Sequence, residues 1–181
     1  MYREDVEIED DGIEKTFYSS IPAKINMWGN KLITLVIQIT EISERKGDPH
    51  FFRPTPRSME ACQKIPTLIA ENEFIFTKII NLLYFTVYEG FGGQENRLTN
   101  VLNKSQLNPL WDLKHIRNDI NHDFGHGEKK KVLEKFKKIG NIYNAIIGKH
   151  KPCSGKDYRT VQLHFYVTLN AMLKEVIKVI E

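Results

Sequence analysis

The sequence predicts an all-α fold, a helical bundle of four to five main helices, and three observations carry that prediction. Apolar residues recur at three- and four-residue steps over most of the chain, the period of a helix face. Start and stop signals, such as Asn108–Pro109 and the "GFGG" of residues 90–93, separate those periodic stretches. No internal repeat or low-complexity tract interrupts them, and 41% hydrophobic with 27% charged residues is ordinary for a globular chain. A length of 181 residues suits one domain with a proper core and is short for two. Residues 15–181 are therefore expected to form one domain behind an acidic, flexible tail at residues 1–14.

Taken in order, "PAKINMWGNKLITLVIQITEISERKG" places Ile25, Trp28, Leu32, Leu35, Ile39 and Ile42 on one helical face, with Gly47 as a stop. Its β-branched "ITLVIQI" leaves a strand open as an alternative. "DPHFFRPTPRS" holds three prolines and reads as a loop. The next helix is expected to begin between Ser58 and Thr67 and run to Tyr88, with Pro66 opening or kinking it. It is apolar almost all round, so it belongs at the bundle centre or in a subunit interface, with Phe74, Phe76, Tyr84 and Tyr88 as core. A short helical piece near Glu95–Asn103 follows. Asn108 then makes an N-cap with Pro109 at the first helical position, opening "LWDLKHIRNDINHD", which stops at Gly125 or Gly127. A further helix runs from about Glu128 to Ile147, with Val132, Leu133, Phe136, Ile139, Tyr143, Ile146 and Ile147 on one side. The last begins near Asp157 and continues through Tyr166, Leu169, Met172, Leu173, Val176 and Ile180.

Several classes are excluded or disfavoured. The N-terminus has no apolar stretch of the secretory kind. "FIFTKIINLLYFTVY" is fifteen residues long and contains Lys78 and Asn81, whereas a membrane span needs about twenty apolar residues. Cys62 and Cys153 form no C-x-x-C pair, which suits a reducing, cytoplasmic setting without a disulfide framework. The net charge of +3 hides an asymmetry. Residues 1–14 carry seven acids and one arginine, a net of −6, so the remainder carries +9. A basic body with an acidic tail fits an anionic partner such as RNA, the tail either covering the same surface or serving only to solubilise.

The densest chemistry lies in "KHIRNDINHDFGHGEKK", residues 114–130. On a helical wheel at about 100° per residue, with Arg117 at zero, Ile116, Ile120 and Leu113 fall at about 260°, 300° and 320°. Asn121, Asn118, His122 and His115 fall at about 40°, 100°, 140° and 160°, a polar sector away from that stripe. His122 occupies the last turn, where the negative helix end favours an imidazolium, and Asp119 and Asp123 act in the same direction.

"RNDINH", Arg117 to His122, resembles the R-x4-6-H motif of HEPN domains, with the frequent polar residue, here Asn118, directly after the arginine. The resemblance implies a small all-α bundle that commonly dimerises, and a metal-independent endoribonuclease needing no cofactor. It further implies a toxin or defence effector, with an inhibitor or antitoxin protein as a partner. Arg45–His50 and Arg159–His164 match the same spacing. The first runs into a proline-containing loop, and His164, between Leu163 and Phe165, reads as a packed histidine.

RNA carries its own nucleophile in the 2′-OH, so cleavage needs phosphate charge offset, one proton removed and one delivered. On this reading Arg117 would supply the first, gripping two phosphate oxygens, and His122 would be the general base or acid. The bland alternative is a surface arginine and a helix-capping histidine. Asn118 would orient the imidazole or the phosphate. Lys129, Lys130, Lys131, Lys135 and Lys138 would hold the backbone without reading sequence, or form a solvated face. The second reading is a catalytically silent HEPN-like module that binds RNA, nucleotide or a partner protein. A third is a metal-dependent hydrolase using His122, His126 and Asp119, which a helix break at Gly125 opposes.

Overall fold

The computed structural model describes residues 20–48, 51–121 and 129–181. Among them there is no strand, and six α-helices carry the fold: α1 (Ile21–Arg45), α2 (Pro56–Lys64), α3 (Glu73–Leu83), α4 (Asn108–Asn121), α5 (Lys129–Ile147) and α6 (Gly155–Ile180). None of the described helices is long and apolar enough to cross a membrane.

The starts of four helices follow from local chemistry. Ser20 and Thr55 accept backbone N–H bonds at the heads of α1 and α2, and Thr55 and Ser58 cap each other reciprocally. Asn72 caps α3 and Ser154 caps α6. The segment with the strand alternative is helix throughout, and Ile25, Leu32, Leu35, Ile39 and Ile42 are buried as the spacing predicts. They pack along α6, whose Tyr166, Leu169, Met172, Leu173 and Val176 form the facing stripe. Each such side chain withdrawn from water contributes about 1.5–3 kcal/mol, before the entropy of ordering it.

One expected helix is two. The stretch ending at Tyr88 is divided between α2 and α3, with residues 65–72 connecting them. Gln162, fully buried on α6, is what the connection folds around: its Oε1 accepts from the Ala70 N–H at 2.9 Å and its Nε2 donates to the Leu68 carbonyl at 2.8 Å. Tyr166 donates its hydroxyl to the Ile65 carbonyl at 2.7 Å. Backbone groups that a continuous helix would have paired internally are thus paired to side chains about 95 residues along the chain. Gly29 makes room for this, since a Cβ there would stand 2.9 Å from the Pro66 Cα.

Three further expectations are corrected. Phe74 is 77% exposed, because it lies about 200° around α3 from the buried Phe76, and Tyr84 and Tyr88 are buried as expected. Leu133 and Phe136 are 70% and 53% exposed, whereas Ile139 and Tyr143 further along α5 are buried. Only the second half of α5 reaches the core. The piece near residues 95–103 is two short 3₁₀ turns, Gly93–Glu95 and Arg97–Asn100.

α3 does not stop at Leu83. It continues as a π-helical turn, Tyr84–Glu89, closed by a bond from the Gly90 N–H to the Phe85 carbonyl five residues back, at 3.0 Å. Two neighbours latch this turn. Buried Asn96 donates to the Tyr88 carbonyl at 3.1 Å, and the Arg53 N–H donates to the Gly90 carbonyl at 2.8 Å. Phe52 lies so close to Gly90 that a Cβ there would meet its ring at 2.4 Å.

Candidate functional site

The π-turn decides what faces the motif helix. Tyr84 and Tyr88 come onto one side and stack, with ring centroids 4.7 Å apart and planes 20° apart. α4 runs antiparallel alongside, and three pairs meet in register. Asn121 donates to the Asn81 Oδ1 at 2.9 Å, the Arg117 guanidinium lies 4.6 Å from the centre of the Tyr84 ring, and the Lys114 ammonium donates to the Tyr88 hydroxyl at 2.7 Å. Lys114 also lies 4.7 Å from the Tyr88 ring centre and 5.2 Å from that of Trp111. The seam therefore holds two cations against three aromatic rings, an arrangement worth about 0.5–2 kcal/mol per cation depending on how dry it is.

Arg117 is accordingly half-buried and held, where the wheel alone put it at the boundary of an open polar sector. Its Nη1 donates to the Asn118 Oδ1 at 3.3 Å. Its Nε is buried and has no hydrogen-bond partner among the described residues. Asn118 thus stands against the arginine. Asn121 donates to the Arg117 carbonyl at 2.8 Å, which closes the last described turn of α4. Burial pushes the Tyr84 hydroxyl up to about 12, with Glu89 and Tyr88 adding to it and Arg117 opposing. The ring under the guanidinium is therefore a neutral phenol throughout the physiological range.

The other side of α4 is also covered, contrary to the expectation of one solvent-facing polar sector. Asp112, His115 and Asp119 are half-buried there. Burial raises the Asp112 carboxyl, with Lys138 of α5 pulling it back, and raises that of Asp119, opposed by Lys151. Burial lowers the His115 imidazole, and Lys138 and Lys114 lower it further. Between α3, α4, α5 and the start of α6 a cavity of about 360 Å³ is lined by residues including Asp119, Ile120, Tyr143, Lys151 and Tyr158. Burial, followed by the Asp119 charge, pushes the Tyr143 hydroxyl far above its ordinary value.

Of the sequence-predicted site residues, Arg117 and Asn118 are brought together. His122 lies outside the described residues, as do His126 and the helix end expected at Gly125 or Gly127. Of the metal set suggested by His122, His126 and Asp119, only Asp119 is described, and no group of three or more His, Cys, Asp or Glu among the described residues could hold a metal ion. Lys130, Lys135 and Lys138 are exposed on α5, and the side chains of Lys129 and Lys131 lie outside the described residues.

The competing motif matches also separate. His50 is outside the described residues, and Arg45 donates its Nε to the Glu41 carbonyl. His164 is exposed rather than packed, at the edge of the α6 core face with its ring against the edge of Phe165, centroids 5.8 Å apart. Tyr84, Tyr88 and Lys114 escaped the sequence reading as partners of the motif. The signal lay in matched spacings, Tyr84–Tyr88 on one helix and Lys114–Arg117 on another, which only the antiparallel pairing aligns.

Comparison with protein-family models, with characterised proteins and with solved structures returned no match.

Proposed function

We propose that this chain is a metal-independent endoribonuclease of HEPN type, with Arg117 and His122 catalytic and Asn118 a positioning residue. The observation that carries the reading is the state of Arg117. A guanidinium is fixed by an aromatic face on one side and by Asn118 at Nη1, while its Nε–H is a buried donor lacking an acceptor among the described residues. Such a donor costs free energy until an acceptor arrives, and a phosphate oxygen is a strong one.

In this scheme the 2′-oxygen attacks phosphorus as its proton passes to a general base, the P–O5′ bond breaks, and the leaving oxygen takes a proton. The products are a 2′,3′-cyclic phosphate and a 5′-OH. Arg117 offsets the charge that builds on the non-bridging oxygens, and being pre-held it need not reorganise as that charge appears. His122 moves the proton, and a two-fold dimer would supply a second histidine for the other transfer. The exposed lysines of α5 follow the motif directly in sequence and would hold the RNA backbone without base readout.

A catalytically silent RNA-binding module is the second reading, favoured by the same hold on Arg117, since a stacked arginine grips phosphate whether or not chemistry follows. The two part in one assay. Mixed-sequence RNA in excess EDTA is expected to yield cyclic-phosphate ends with the wild-type chain. His122→Ala and Arg117→Ala are each expected to abolish them while the helical circular dichroism is kept. Retained binding with no cleavage by the wild type would select the silent module. Cleavage that survived both substitutions would exclude this site.

A further inference from the structure

The first half of α5 carries a surface that the rest of the described body leaves uncovered. Residues 129–138, "KKKVLEKFKK", hold six lysines and one glutamate. Leu133 and Phe136 are 70% and 53% exposed in their midst. They extend the stripe that Ile139 and Tyr143 bury one to two turns later, so the apolar face runs out past the edge of the bundle. Lys130 and Lys137, both exposed, lie seven residues apart and share one side of Leu133 on the wheel, about 60° and 40° from it. An exposed basic strip with two large apolar side chains along it calls for an occupant that is acidic and apolar together.

The chain contains such a segment. "MYREDVEIEDDGIE", residues 1–14, has a net charge of −6 and carries Tyr2, Val6, Ile8 and Ile13 among its acids. The net charge of residues 129–138 is +5, a near match of opposite sign. Reach is not limiting: nineteen residues ahead of Ser20 span up to roughly 63 Å when extended, against roughly 40 Å across a folded body of this size. A tether this short holds the segment at an effective concentration near the millimolar range, so weak contacts suffice.

We propose that the acidic segment of residues 1–14 docks in cis on the Leu133–Phe136 face of α5, its carboxylates on Lys130 and Lys137. Because Lys130 is among the lysines read above as RNA-holding, and only on that reading, the docked segment is a built-in competitor that RNA must displace. The docking itself requires no RNA and is testable without it.

The test is zero-length carbodiimide cross-linking of the full-length chain, with isotope-labelled and unlabelled protein mixed and the linked peptides mapped by mass spectrometry. Intrachain links are expected between carboxyls of residues 4–14 and Lys130 or Lys137. Their yield is expected to fall at least about five-fold at 0.5 M salt, where charges are screened within a few ångströms. A similar fall is expected in a Leu133→Glu, Phe136→Glu variant, whose exposed positions leave the helical circular dichroism unchanged. Links only between labelled and unlabelled chains would assign the face to a second copy and overturn the proposal. So would the absence of links, or a yield that the variant leaves unchanged. Failure here would leave the EDTA cleavage assay unaffected, and failure of that assay would leave these links in place.

Discussion

The two flanks of α4 are built from opposite materials. Toward α3, Lys114 and Arg117 rest on Tyr88 and Tyr84, and Asn121 pairs with Asn81. Toward α5 and α6, Asp112, His115 and Asp119 are half-buried near Lys138, Lys151 and Tyr143. Burial acts on both flanks with different results. A guanidinium cannot lose its charge, so covering it with a ring fixes a permanent cation in place. Carboxyls and an imidazole can shed theirs, so covering them moves their titrations toward the neutral forms instead. One flank is a fixed electrostatic device and the other is a pH-dependent one.

The substitution that should disturb both flanks most is Leu113→Ala, since that side chain is fully buried beneath them. A loss of about 2–5 kcal/mol in denaturant unfolding is expected. Tyr84→Leu sharpens the contrast, keeping an apolar side chain while removing the ring under Arg117. It should cost about 0.5–2 kcal/mol of stability and lower RNA cleavage more than it lowers RNA binding. Tyr88→Phe keeps the stack and deletes only the acceptor of the Lys114 bond, for about 1 kcal/mol.

The smallest effects belong to the other flank. The His115 imidazole titrates below its ordinary 6.5, so the unfolded chain binds more protons than the folded one in the window between the two values. Stability therefore falls as pH drops through that window, and His115→Gln should remove this part of the slope. Asp112 and Asp119 act oppositely: their carboxyls titrate above the ordinary 3.8, so they favour the folded state increasingly as pH falls through their own window. In Lys138→Gln, NMR titration should show His115 and Asp112 both moving up, because Lys138 lowers each of them.

What could be read from the sequence depended on whether the deciding interaction was local. The burial of Ile25, Leu32 and Ile39 in α1 and of Leu169 and Val176 in α6 follows from periodicity. α4 starts beside Asn108–Pro109 as that pair suggested, but the carbonyl that accepts its first bond, from the Trp111 N–H, belongs to Leu107, so Asn108 stands one place inside the helix rather than at its cap. The division of α2 from α3 did not follow from local sequence, since it depends on Gln162 and Tyr166, distant in sequence. Nor did the exposure of Leu133 and Phe136, because spacing assigns a face to a helix without saying how far the body extends beneath it. At the candidate site, the pairing of Arg117 with Asn118 was legible as adjacency. The aromatic floor was not, because Tyr84 and Tyr88 read as ordinary core until the π-turn and the register of α4 placed them under the cations.

The most direct measurement sets the two flanks against each other in one assay: initial rates of RNA cleavage in EDTA by the wild type, Arg117→Ala and His115→Ala. A loss of at least about 100-fold is expected for Arg117→Ala, the scale of removing a preorganised charge-stabilising group. His115→Ala should stay within about three-fold of the wild type, the allowance for a change confined to the pH-dependent flank. A large loss with His115→Ala beside a small one with Arg117→Ala would contradict the assignment and move the chemistry to the flank that faces α5.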